Sequence, residues 1–245
     1  MRGLLIYAAC LACLAFAVTL AVLPGPHRAL VPQAFGAHKI TPGIYTDAPE
    51  HAAQLRALVT QADADVAAFM GELRTNPRII VCTQQGCADR FRFGSAGLNI
   101  WAHLIFIGPD GLGQITLTHE RMHAELHRGY GLDHFWSPDF PLWFDEGLAA
   151  LVSADTRLPI TRPQSAAWIK HAHTMHDWAD LAEGKPWVIS YGAALSLVAD
   201  FAAHHGRAGL RDLIARVEAG EAFQTVWAQY QGTRVQTGLN THTRP

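Results

Sequence analysis

The chain has 245 residues and a formal net charge of −2, with 49% hydrophobic and 16% charged residues. That composition suits one globular domain with a small appendage and excludes a disordered chain. No basic excess argues for nucleic acid as a partner. Four Cys do not make a disulfide scaffold, whereas 14 His make metal the first question.

The chain opens with an uncharged run from Leu4 to Leu23, preceded by Arg2 and closed by Pro24-Gly25-Pro26. As a helix it would rise about 30 Å, the thickness of a bilayer core. Residues 1–23 therefore read as an uncleaved signal anchor. Ala15-Phe16-Ala17 leaves a cleaved signal peptide as the alternative. The body is expected outside the cytoplasm, held at a membrane, or secreted or periplasmic if the segment is removed. Residues 24–48 carry Pro24, Pro26, Pro32 and Pro42 and read as a tether.

From Pro49 to Leu73 the apolar residues Leu55, Leu58, Val59, Ala62, Val66, Phe69, Met70 and Leu73 recur at helical spacing. Asn76-Pro77 ends that helix, and Arg78–Cys82 reads as a β-branched strand. Cys82 and Cys87 flank a short segment. In an oxidising compartment they read as a loop disulfide, with two free thiols as the alternative. Residues 83–100 read as a loop and His103–Gly108 as a second strand. A helix over Leu112–Arg128 follows. Further helices are expected over Leu148–Ser153, Trp168–Ala182, Tyr191–His204, Ala208–Ala219 and Glu221–Gln229. Residues 231–245 read as a polar tail. The layout is α+β: a small sheet-containing half, then a mainly helical half, in one domain over 49–230. A functional site is expected at their junction.

The chemistry concentrates in His119-Glu120-Arg121-Met122-His123, an H-E-x-x-H. On a helix, four residues advance about 6 Å and return to the same face, so His119 and His123 can share a metal. Glu120 is placed beside them to take a proton from an activated water. A hydrolytic zinc site wants three protein ligands and an open position. His127 lies about 12 Å from His119 along the helix, too far for one ion. The better third ligand is Glu146, in Trp143-Phe144-Asp145-Glu146-Gly147-Leu148-Ala149. A helix start with Asp145 and Glu146 in its first turn is the structural alternative.

His119-Glu120-x-x-His123 followed by Trp143-x-x-Glu146-Gly147-x-Ala149 resembles the gluzincin, or peptidase MA-like, zinc metallopeptidases. The resemblance implies a zincin-like fold with the metal site at the junction of the two halves. It implies one Zn²⁺ on His119, His123 and Glu146, Glu120 as general base, and a peptide or protein substrate. Ser190-Tyr191-Gly192 is similar to a later helix start in many relatives, which implies Tyr191 as an oxyanion donor; packing is its alternative role. The strand His103, Leu104, Ile105, Phe106, Ile107 and Gly108 is implied as an edge that pairs with extended substrate. Two departures stand out. Asp145 occupies a position where many relatives have Asn, and no acidic G-x-M-E-N-like element lies upstream. The second favours an endopeptidase over an aminopeptidase.

His171, His173 and His176 read as solvated surface rather than a second metal site. His127 and His134 read as neighbours of the site or of substrate. The alternatives to a membrane-tethered zinc peptidase are a non-catalytic binding module of the same fold and a hydrolase of a non-peptide bond.

Overall fold

The computed structural model describes residues 25–241, so the apolar run at 1–23 lies outside the described residues. Among them no single helix is long and apolar enough to cross a membrane. The fold is α+β. Strands β1 (His38–Thr41), β2 (Ile44–Thr46), β3 (Arg78–Val81), β4 (Gly97–Ile100) and β5 (Leu104–Ile107) form one mixed sheet. Its order is β1-β2-β3-β5-β4. β2, β3 and β5 run parallel, and β1 and β4 are antiparallel edges.

Alternation along β3 and β5 divides the sheet into two buried faces. Ile79, Val81, Ile105 and Ile107 face helix α1 (Ala52–Met70) and helix α3 (Gln114–Leu126), meeting Leu55, Val59, Ala62 and Leu117. Ile80, Leu104 and Phe106 face Phe91, Phe93 and the amino-terminal residues Ala29, Ala37 and Tyr45. A short helix α2 (Gln85–Arg90) follows β3. The disulfide Cys82–Cys87, with Cα atoms 5.4 Å apart, ties its start to the end of β3.

Helices α4 (Leu142–Val152), α5 (Met175–Ala182), α6 (Trp187–Glu218) and α7 (Phe223–Thr241) make the second half. Their core holds Trp143, Phe144, Phe201, Phe223 and Trp227. Gly206 (φ 66°, ψ −178°) breaks α6, so the two expected helices are joined with a kink. α4 packs on α6 at Gly147, where a Cβ would meet the Ala194 carbonyl oxygen at 2.5 Å and its carbon at 2.7 Å. A side chain there cannot be fitted without moving backbone.

Several expectations are corrected. Within the tether expected over 24–48, the described residues 25–48 are built into the fold. Prolines seat 3-10 turns over Gly25–Leu30 and Pro32–Phe35, and β1 and β2 join the sheet through a turn at Gly43 (φ 82°). These strands are too short to display a period. The expected loop 83–100 contains α2 and β4. The strand over His103–Gly108 is interior, because β3 and β5 pair on one side and β4 and β5 on the other. Leu104, Ile105, Phe106, Ile107 and Gly108 are buried and His103 is exposed. Both hydrogen-bonding edges of this strand are used, so it cannot pair with substrate. The expected helix over 168–182 is instead a 3-10 turn, Ala167–His171, and then α5, with a separate short helical turn, Pro163–Ala166, before it. The expected polar tail from residue 231 continues α7 as far as Thr241.

Gly147→Ala is expected to push α4 away from α6 and cost about 1–3 kcal/mol, the usual range for overpacking. Urea unfolding of the variant beside the wild-type chain measures this. An unchanged midpoint would remove Gly147 from the packing argument.

Candidate metal centre

Helix α3 carries the H-E-x-x-H and is buried along most of its length, including its charged side. Glu125 is 0% exposed. It accepts from the Arg74 and Thr75 amides, the Thr75 hydroxyl (2.7 Å) and Arg121 Nη2 (3.0 Å). Arg121 also donates to Asp63 at 2.7 Å. Buried charge of this kind is tolerable only when every group is paired. The pairing fixes the rotation of α3, so that its opposite face points at α4.

On that face the His119 and His123 rings lie 4.7 Å apart. Glu146 Oε2 reaches His119 Nε2 at 3.0 Å and His123 Nε2 at 3.5 Å. One ligand atom from each residue falls within 4.8 Å of the others, a convergence that could hold a metal ion. Burial works against ionising Glu146, but the charges and hydrogen bonds of His123 and His119 outweigh it and lower its carboxyl to about 2. Glu120 lies beside this group and is buried. Burial raises its carboxyl above the ordinary range, against the pull of His123 and His119.

Asp145 is in the first turn of α4, yet no side chain caps that helix. Its free amides at Leu142 and Trp143 donate to the carbonyls of His173 and Ala172. The Asp145 carboxylate instead accepts from His123 Nδ1 and from His127 Nε2, each at 2.7 Å. Despite burial, His127 and His123 hold its carboxyl well below the usual carboxylate range. The bond to Nδ1 fixes the His123 ring and leaves Nε2 facing Glu146. A carboxylate behind a histidine ligand orients it and raises its basicity. His127 continues the chain. Its Nδ1 lies 3.2 Å from Asn99 Oδ1 on edge strand β4, and the Asn99 amide donates to the Trp101 carbonyl at 2.7 Å. His127, Tyr130 and His134 then stack, with centroids 4.5 Å and 4.4 Å apart.

Tyr191 and β4 flank the group. The Tyr191 ring is 6.2 Å from His119 and packs on Trp178 and Trp187. Glu146 and burial push its hydroxyl well above the ordinary tyrosine range. β4 passes over Glu120 so closely that a Cβ at Gly97 would overlap its Oε1.

The structure thus brings together His119, Glu120, His123 and Glu146, with Tyr191 alongside. It does not bring Leu104, Ile105, Phe106, Ile107 or Gly108 to this group, and the adjoining edge is β4. Among the described residues, potential metal groups form only at His119/His123/Glu146 and at His123/His127/Asp145. His171, His173 and His176 form none. The role of Asp145 in binding two histidines, and of Asn99 behind His127, was not read from the sequence. The signal available was a histidine one turn beyond His123 and a second acid beside Glu146. Comparison with family models, curated proteins and solved structures finds no match to this chain.

For a zinc ion held by His119, His123 and Glu146, Asp145→Ala is expected to weaken binding by about 10–100-fold, the usual cost of losing a carboxylate behind a ligand. Equilibrium dialysis against a zinc buffer reads this directly. An unchanged affinity would show that Asp145 does not orient His123.

Proposed function

We propose that this chain is a membrane-tethered zinc metallopeptidase of zincin-like fold, acting as an endopeptidase. The carrying observation is the convergence of His119 Nε2, His123 Nε2 and Glu146 Oε2, with Glu120 buried beside them. Two imidazoles and one carboxylate are the donor set of a catalytic zinc, with a position left for water or substrate. The chemistry of this donor set suits that ion: one ligand atom from each residue lies within 4.8 Å of the others, and Asp145 holds the His123 ring from behind. When bound, zinc supplies Lewis acidity for a water and a scissile carbonyl.

The chain's own groups do the rest. Glu120 takes a proton on its carboxylate from the attacking water and passes it to the leaving amine. Glu120 is no ligand in this arrangement, and a binding module has no use for it. Tyr191 donates its hydroxyl proton as a hydrogen bond to the oxyanion developing on the carbonyl. An extended peptide pairs with the free side of β4, which sets its carbonyl against Glu120. Leu4–Leu23 holds the chain at a membrane with the site outside the cytoplasm.

Glu120→Gln is expected to keep one zinc per chain and lower peptide hydrolysis by about 10²–10⁴-fold. Glu146→Ala is expected to lose the zinc. Metal analysis of the full chain in detergent, with hydrolysis of a mixed peptide library, distinguishes these outcomes. A folded wild-type chain that takes up no supplied zinc would overturn the peptidase reading in favour of a binding module. Zinc without turnover of any peptide would overturn the peptidase reading and leave a non-catalytic binding module or a hydrolase of another bond.

A further inference from the structure

Only Pro24 separates the apolar run ending at Leu23 from the first turn of the fold, Gly25–Leu30. That turn is not loose. Arg78 Nη1 donates to the carbonyls of Ala29 (2.5 Å) and Leu30 (3.2 Å), and its guanidinium lies over the Tyr45 ring at 5.6 Å. Ala29 is buried against the sheet. A run that enters a bilayer therefore leaves no slack for the body to stand away from the surface.

The surface beside this turn has the chemistry of a lipid site. Leu30 is 65% exposed. It borders a cavity of about 540 Å³ whose apolar wall includes Ala29, Ile100 and Leu104. Besides Pro26 and Gly43, the rest of its lining is polar: the Arg78 guanidinium, the imidazoles of His27 and His103, and the Asn76 amide. Among the described residues no carboxylate lines it. An apolar hollow rimmed by donors and one fixed cation, and free of acids, matches an acyl chain below an anionic headgroup.

We propose that this cavity binds an anionic phospholipid of the membrane that the apolar run enters. The acyl chain lies against Leu30, Ile100 and Leu104, and the phosphate lies at Arg78, His27 and His103. The proposal rests on Leu4–Leu23 being a membrane anchor.

The test uses the full chain in vesicles of phosphatidylcholine with phosphatidylglycerol. A photo-crosslinking residue replaces Leu30 and, in a control, the exposed Met175. Mass spectrometry is expected to find phospholipid adducts at position 30 at severalfold higher yield than at 175. The yield is expected to fall severalfold in pure phosphatidylcholine. It is also expected to fall in His103→Glu, with an unchanged urea-unfolding midpoint as the check on folding. A chain that floats with the vesicles but gives no lipid adduct at position 30 overturns the site and leaves the anchor standing. Adducts to residues 1–23 or to a second copy overturn it in favour of those occupants. Equal yields in both lipid mixtures overturn the anionic headgroup. A chain that does not float with vesicles overturns the anchor reading, and the proposal with it.

Discussion

Three carboxylates and three imidazoles share a poorly solvated space between α3 and α4, and the neighbouring structure answers the cost of keeping them there. A charge moved from water into protein is penalised by several kcal/mol unless partners replace the lost solvent. Asp145, Glu146 and Glu120 meet that demand in different ways. Asp145 is closed off by two imidazoles at 2.7 Å. Glu146 shares its oxygen between His119 and His123 at longer range, and Glu120 lies beside both. The tightest pairing belongs to the group that orients, and the looser contacts belong to the groups assigned to metal and proton.

The same constraint explains the opposite side of α3. Arg121 and Glu125 are buried: Arg121 donates to Asp63 of α1 and to Thr75, and Glu125 accepts from the Arg74–Thr75 segment that follows α1. A helix presenting polar groups on two faces could rotate and exchange one set for the other. Pairing Glu125 with the amides of Arg74 and Thr75 blocks that rotation, because those amides are fixed where α1 ends. Gly147 acts similarly on α4. Its backbone contact with Ala194 sets how deeply α4 sits, and Glu146 is its chain neighbour.

Legibility in the sequence followed the strength of local signals. The long period of α1, the β-branched run of β3 and the i, i+4 histidines were readable because packing on one face dictates residue type over many positions. Cys82 and Cys87, five residues apart, left a disulfide and two free thiols open, and the structure pairs them. β1, β2 and β4 were not readable: each has three or four residues, and β4 contains Gly97 and Asn99 in place of β-branched residues. Those two are present for the site, since Gly97 clears Glu120 and Asn99 supports His127. Where a residue answers to chemistry, its propensity says little about its secondary structure. The prolines of the amino-terminal segment misled for a related reason, because they start 3-10 turns that seal the outer face of the sheet.

The position of the interior strand turns on the same short segment. The apolar residues of β5 looked like an edge in need of cover, and the cover is β4 itself. Adding β4 transfers the unpaired edge to a strand that is short, polar at Asn99 and partly exposed at Leu98, features that blunt edge-to-edge aggregation. It also brings three functions to one strand. Gly97 lies against Glu120, Asn99 reaches the Asp145–His127 chain, and Ile100 lines the cavity beside the Gly25–Leu30 turn. In the proposed function, a peptide pairing along β4 would run from the buried carboxylates toward the Gly25–Leu30 turn. In the proposed peptidase, that geometry would favour extended segments, through the placement of one four-residue strand.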